Sequence, residues 1–270
     1  MADETPSLIY ERRDHTVILT MNRPARRNAL SLDMIVRLAD AWAAIDADDT
    51  IRSVILTGAD GAYCAGGDLD AGWMAGNQGA EPTSNERRAM QDRTLIGRGL
   101  LLSDWLRTPI IAVVNGDCMG GGCEMLQQTD IRIAEEHARF GVPEARRGLI
   151  AGAGSTIRLK RQIPYAVAME MLITGRILDA EEALRWGLVS HVVPTGEGLT
   201  KGLEVARTIA ENGPLSVAAA KASAIETGWL PEDQAREIEN RYAALVMRSS
   251  DAQEGMRAFI EKRPPRYTGT

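Results

Sequence analysis

Two glycine-rich loops, each following a short apolar strand, constrain this chain more than any other feature. The first, Tyr63-Cys64-Ala65-Gly66-Gly67-Asp68-Leu69, comes after an apolar run at residues 53–57. The second, Asn115-Gly116-Asp117-Cys118-Met119-Gly120-Gly121-Gly122-Cys123-Glu124, comes after another at residues 110–114. Without a Cβ, a glycine backbone can approach a second segment or a ligand closely. A loop that opens a helix also leaves N–H groups pointing outward at the positive end of the helix dipole. Two such loops side by side can aim two N–H groups at one oxygen, which is an oxyanion hole.

The rest of the chain supplies a scaffold for such loops. Leu8–Arg13 and Thr16–Met21 read as strands joined by a tight turn at Asp14-His15. Ser31 caps a helix whose apolar positions are Met34, Ile35, Leu38, Trp42 and Ile45, ending near Asp48. Residues 53–57 form a buried strand and residues 72–88 a mobile surface loop. A long helix is expected from about residue 85 to 107. A strand at 110–114, a helix at 123–129 and a strand at 131–134 come next. Beyond Gly175 the pattern turns helical, with segments at 180–186, 198–212, 215–227, 231–249 and 251–262, and one strand at 188–193. This is an α/β class, with a core over residues 1–195 and a helical region over 196–270.

Charge and cysteine content narrow the function. Lys and Arg total 31 against 37 Asp and Glu, a net charge of −6, so no basic surface suits nucleic acid. No apolar run approaches a membrane span, and the acidic start at residues 1–6 lacks the features of a secretory signal. The three cysteines have no disulfide-framework spacing, which fits a reducing cytoplasm. The three histidines stand far apart with no metal-ligand spacing, so no metal is expected.

Two glutamates complete the chemistry. Glu124 lies three residues after Gly121, almost one helical turn, so its carboxylate rises on the side of the Gly121 N–H. Glu144 follows Pro143 in Phe140-Gly141-Val142-Pro143-Glu144, where proline fixes the backbone before the acid. Folded together, they could hold a water between them, one taking its proton while the other protonates carbon. Each signal has a plainer reading: a tight turn for the triple glycine, a solvated helix face for Glu124, a loop for Pro-Glu. Gly152-Ala153-Gly154-Ser155-Thr156 is neither a nucleophile elbow nor a phosphate loop. Cys64 and Cys123 lack an evident histidine partner and read as packing residues.

In combination, these stretches resemble those of the crotonase (enoyl-CoA hydratase/isomerase) family, most closely its hydratases. The resemblance rests on Asn22-Arg23-Pro24, Asn28-Ala29-Leu30, the two glycine loops and Phe140–Glu144. It extends to Leu172–Arg176, Ala183–Val189 and Ala258–Arg263, covering about residues 8–263. It implies a spiral of repeated β-β-α units with C-terminal helices that build trimers, commonly paired into hexamers. It also implies an acyl-CoA thioester substrate, with coenzyme A as part of the substrate and no separate cofactor. Gly67 and Gly121 would bind the thioester oxygen, and Glu124 and Glu144 would be the catalytic acids, Glu124 activating water and Glu144 protonating C2. Ala25, Arg26, Arg27, Ala29, Ala65, Gly67, Asp68, Leu69 and Gly120 would contact substrate or CoA. Phe259 and Lys262 would reach a neighbouring subunit's CoA. The expected activity is addition of water to a 2-enoyl-CoA, as in β-oxidation. A different family reaction or a binding protein that has lost catalysis remains as an alternative. Residues 181–193 are similar to the carnitinyl-CoA dehydratase branch. The chain departs from the usual pattern in having Gly67 where many hydratases have Ala, and Ser155 where Gly is usual. Its loop at 72–88 is also longer than in typical hydratases, offering Trp73, Met74 and Met90 as walls of an acyl pocket.

Overall fold

The computed structural model describes residues 6–69, 81–102 and 105–270. In chain order its elements are β1 (Leu8–Arg13), β2 (Thr16–Met21), α1 (Leu32–Asp46), β3 (Ser53–Gly58), α2 (Ser84–Gln91), α3 (Thr94–Gly99), β4 (Ile110–Val114), β5 (Asp117–Met119), α4 (Gly121–Leu126), β6 (Ile131–Glu135) and β7 (Arg139–Gly141). There follow α5 (Ser155–Gln162), α6 (Tyr165–Thr174), β8 (Ile177–Asp179), α7 (Ala180–Arg185), β9 (His191–Val193), α8 (Gly198–Glu211), α9 (Pro214–Thr227), α10 (Glu232–Met247) and α11 (Ser250–Glu261).

Among the described residues a six-stranded sheet runs β1-β2-β3-β4-β6-β9, and a three-stranded sheet runs β5-β7-β8. Only β1 pairs antiparallel in the larger sheet; every other neighbour there is parallel. Successive units send their first strand to the large sheet and their second to the small one: β4 then β5, β6 then β7. Cys64 makes a lone parallel bridge to Cys118, so the segment after β3 takes the corresponding place. Repetition of this unit stacks the loops between the two sheets in one place, and the glycine-rich segments are those loops.

Strand parity builds two cores. Val17, Leu19, Met21, Val54, Leu56, Ile110, Ala112, Val114 and Ala134 enter the main core with α1. Their alternates Ile18, Ile55, Ile111, Val113 and Ile133 face the opposite way and meet Ala206, Leu199, Leu203 and Ile209 of α8. Strands buried on both faces read as continuous apolar runs, which is why 53–57 and 110–114 are recognisable. The same packing places α8 on the sheet, so the sequence division at 195/196 separates a helix that closes the core; the outlying helices begin with α9, which packs along α10. The two edges of the large sheet differ: β1 is almost wholly exposed beyond Leu8, and β9 has only three residues.

The long helix expected over 85–107 is two short ones. α2 ends at Gln91, and the Asp92 carboxylate turns back to accept from Thr94 N–H (2.9 Å) and hydroxyl (2.6 Å), starting α3 afresh. The helix expected at 123–129 begins two residues earlier, at Gly121, and the strand at 188–193 shrinks to β9. Among the described residues no helix is long and apolar enough to cross a membrane.

Candidate active site

Three segments converge on the first glycine loop. Arg27 O accepts from Ala65 N, Leu30 N donates to Gly66 O (2.8 Å) and Leu30 O accepts from Asp68 N (2.9 Å), a parallel pairing of residues 27–30 with 65–68. In such a pairing Gly67 N–H must point away from Leu30. Asn28 fixes this segment from beneath. Fully buried at φ 56°, it accepts from Arg23 N (2.8 Å) and donates to Ala59 O (2.9 Å) and Ala62 O (2.7 Å). Asp68, 3% exposed, ties the two segments through Arg23 (2.8 Å) and Arg26 (2.9 Å). Burial pushes its pKa up, but hydrogen bonds from Arg26 and Arg23 outweigh that and leave it below the usual carboxylate range.

The second loop docks on the first. Gly120 N donates to Gly141 O (2.9 Å), and Gly120 adopts φ 51°, ψ −128°, a conformation open to glycine. Gly121 then begins α4, so its N–H has no intrahelical acceptor. A Cβ on Gly66 would lie 3.4 Å from Gly121 N, and one on Gly121 would lie 3.7 Å from Gly67 N. The two loops are thus in contact. Neither the Gly67 nor the Gly121 N–H has a protein acceptor among the described residues.

Both glutamates arrive here. Glu124 is 4% exposed and accepts from Ser155 N at 3.4 Å. Burial, reinforced by the charge of Glu144, pushes its pKa up to about 7, against the pull of hydrogen bonds from Ser155 and Ala153. Glu144 stands in a 3-10 turn, Pro143–Arg147, and burial raises its pKa as well, partly opposed by its own N–H and by Arg147. A Cβ on Gly120 would come within 3.0 Å of Glu144 Oε1, so the glycine makes room for the carboxylate. Glu144 Oε2 is buried with no hydrogen-bond partner, the mark of a group awaiting one.

A cavity of about 610 Å³ opens between the loops, lined by Ala65, Gly67, Leu69, Gly120, Glu144 and a basic rim of Arg27, Arg139, Arg146 and Arg147. Ala25 and Arg26 are exposed beside this rim, while Ala29 and Asp68 are buried and shape the loop from within. Phe259 and Lys262 do not line this cavity within one chain; Phe259 is 86% exposed at the end of α11. Met90 is exposed on α2, and Trp73 and Met74 lie outside the described residues. The three thiols are buried, and burial pushes Cys64 up to about 12, so it packs as a thiol and offers no nucleophile.

Several supporting residues escape a reading by motif. Arg132, 8% exposed, donates to the carbonyls of Gln127 (3.2 Å), Thr129 (3.0 Å) and Leu188 (3.1 Å), capping the end of α4. Arg158 on α5 is half-buried and lies near enough for the charge of Glu124 to act on it. A buried arginine in a β-strand gives no local sign of its partners, so only tertiary structure reveals them.

The model of the enoyl-CoA hydratase/isomerase family matches residues 11–270. The chain belongs to this family. Enoyl-CoA hydratase EchA19 of Mycobacterium tuberculosis is 46% identical to it, over 97% of this chain and 96% of the relative. A mevalonyl-coenzyme A hydratase of Beauveria bassiana is 37% identical, over 93% and 90%. The crystal structure of an enoyl-CoA hydratase from Mycobacterium tuberculosis superposes with a TM-score of 0.86 at 37% identity, covering 98% of this chain and all of that one. The crotonase spiral implied by the sequence motifs is therefore the fold of this chain.

Proposed function

We propose that this enzyme adds water across the double bond of a 2-enoyl-CoA thioester to give the 3-hydroxyacyl-CoA. The observation that carries the reading is the meeting of two unaccepted backbone N–H groups with two carboxyls whose pKa values are both raised. Gly67 and Gly121 N–H take the thioester oxygen and hold the negative charge that develops as the enolate forms. Glu124, near half-ionised at neutral pH, accepts a proton from water as its oxygen bonds to C3. Glu144, in its protonated form, gives its proton to C2. The result is one carboxyl protonated and its partner ionised, so a proton must pass between them before the next turnover. Because the charge of Glu144 acts on Glu124, the two form a linked pair suited to that exchange.

The basic rim of Arg27, Arg139, Arg146 and Arg147 suits the anionic phosphates of CoA, with Ala25, Arg26, Ala29, Ala65, Asp68, Leu69 and Gly120 shaping or touching the same path. The second, half-buried carboxyl favours hydration over simple isomerisation, which needs no second acid for water. Exposed apolar side chains on the last two helices, including Leu245, Met247, Phe259 and Ile260, support self-association as a trimer or hexamer with Phe259 and Lys262 over a neighbour's CoA. Three unpaired thiols fit a cytoplasmic setting. Crotonyl-CoA and longer enoyl-CoA thioesters, followed by loss of enoyl absorbance, test the reading. Turnover of none of them, with CoA still bound, would leave a binding protein instead.

A further inference from the structure

The Glu124 carboxylate is carried by α4 but held by the start of α5. Ser155, with no exposed surface, donates its N–H to Glu124 Oε1 at 3.4 Å, and its hydroxyl lies near enough to draw the pKa of that carboxyl down. The Ser155 oxygen is itself engaged: Gln127 Nε2 donates to it at 2.7 Å. The other hydrogen of that amide goes to Cys123 O at 3.1 Å, which fixes the amide nitrogen on this side. With Gln127 as donor, the serine oxygen is an acceptor toward it, and its own proton must find an acceptor elsewhere; the Glu124 carboxylate is the one beside it. The backbone of Gln127 is braced in turn, its main-chain carbonyl accepting from Arg132 (3.2 Å) and Gln162 (2.8 Å). Arg132 thus anchors the main chain of the residue whose side chain holds Ser155 beside one of the two reacting acids. A glycine at this place would offer the N–H without the hydroxyl.

We propose that Ser155 is a positioning residue of the hydration reaction, whose hydroxyl, turned by the Gln127 amide, donates to Glu124 and holds the carboxylate ionised and aimed at the attacking water. The proposal rests on Glu124 as the base, and its consequence is chemical. A donor to the charged form opposes the burial that drives the acid toward neutrality, so this chain keeps an active base at lower pH than a glycine-bearing site would.

Two measurements test it on the intact enzyme: kcat/KM against pH, and the side-chain carboxyl of Glu124 titrated by ¹³C NMR, assigned with E124Q. In Ser155→Ala and Ser155→Gly, both the acid limb of the profile and the NMR titration should move up by about one pH unit. The glycine variant retains the N–H donor and covers the case in which alanine disturbs folding. An unmoved NMR titration in the variants overturns the proposal, as does a rise in KM with no displacement of the pH profile, which mere loosening would give. The underlying assignment fails separately: E124Q would turn over normally while the NMR titration still moved with Ser155.

Discussion

A carboxyl pushed to about 7 is half-protonated at neutral pH, and Glu124 is in that state because it is buried beside a second acid. Each glutamine substitution, Glu124→Gln and Glu144→Gln, should lower kcat by about 10²-fold or more while leaving CoA binding nearly intact, as a lost general acid or base does. Near-normal hydration by either variant, read by enoyl absorbance, would refute the two-acid assignment. Ionised Glu124 acts as the base, so kcat/KM should fall as pH drops below about 7. Stability runs the other way. The folded pKa lies above the unfolded value near 4.5, so the folded chain binds the proton more tightly and loses stability as pH rises from about 4.5 to about 7. The loss is on the order of 3 kcal/mol. Glu124→Gln should therefore melt higher than the parent at pH 8, with the gap closing by pH 5. A pH-independent difference in melting temperature would show that burial of this carboxylate is not what shifts it.

At the level of elements, the site depends on two loops that fit only because certain positions lack a side chain. Gly120→Ala adds a Cβ at positive φ and presses it to within 3.0 Å of Glu144 Oε1. We expect about 1–2 kcal/mol of destabilisation and at least a tenfold fall in kcat, checked by thermal melts and steady-state rates. Asp68→Asn should loosen the pairing of 27–30 with 65–68, costing about 2 kcal/mol and raising KM, since a buried acid is taken from two guanidinium partners. Wild-type stability in that variant would reduce Asp68 to an ordinary loop residue. The glycines and glutamates were legible in the sequence because glycine marks special backbone and the acids sit at fixed offsets from it. The long apolar strands were legible because both their faces are buried. Strands β5, β7 and β8 were not, since three residues show no period, and neither was the break at Asp92, where a helix-compatible composition conceals a side chain that bonds the first residue of the next helix. The link from Gln127 to Ser155 spans 28 positions and belongs to packing alone.

For the whole molecule, the last helices leave much apolar surface uncovered. Phe259 and Ile260 are 86% and 78% exposed at the end of α11. The enzyme should run in light scattering as a trimer or hexamer of 29.3 kDa chains at low micromolar concentration. A fully active single chain would refute both the assembly and a CoA site shared between subunits. Lys262→Ala should raise KM for CoA substrates more than it lowers kcat, and flatten the dependence of KM on ionic strength, because a remote point charge acts on the phosphates and not on the reacting carbons. An unchanged salt slope would leave Lys262 as surface charge. The edges of the six-stranded sheet bear on how such an assembly forms. β1 faces solvent with Glu11, Arg12 and Arg13 in sequence, and β9 offers three residues. A row of charges and a stub are poor templates for another strand. Under the proposed assembly a newly made chain is sticky through its helices and guarded along its ribbon edges, so crowding during synthesis should favour closed rings of subunits over fibrils.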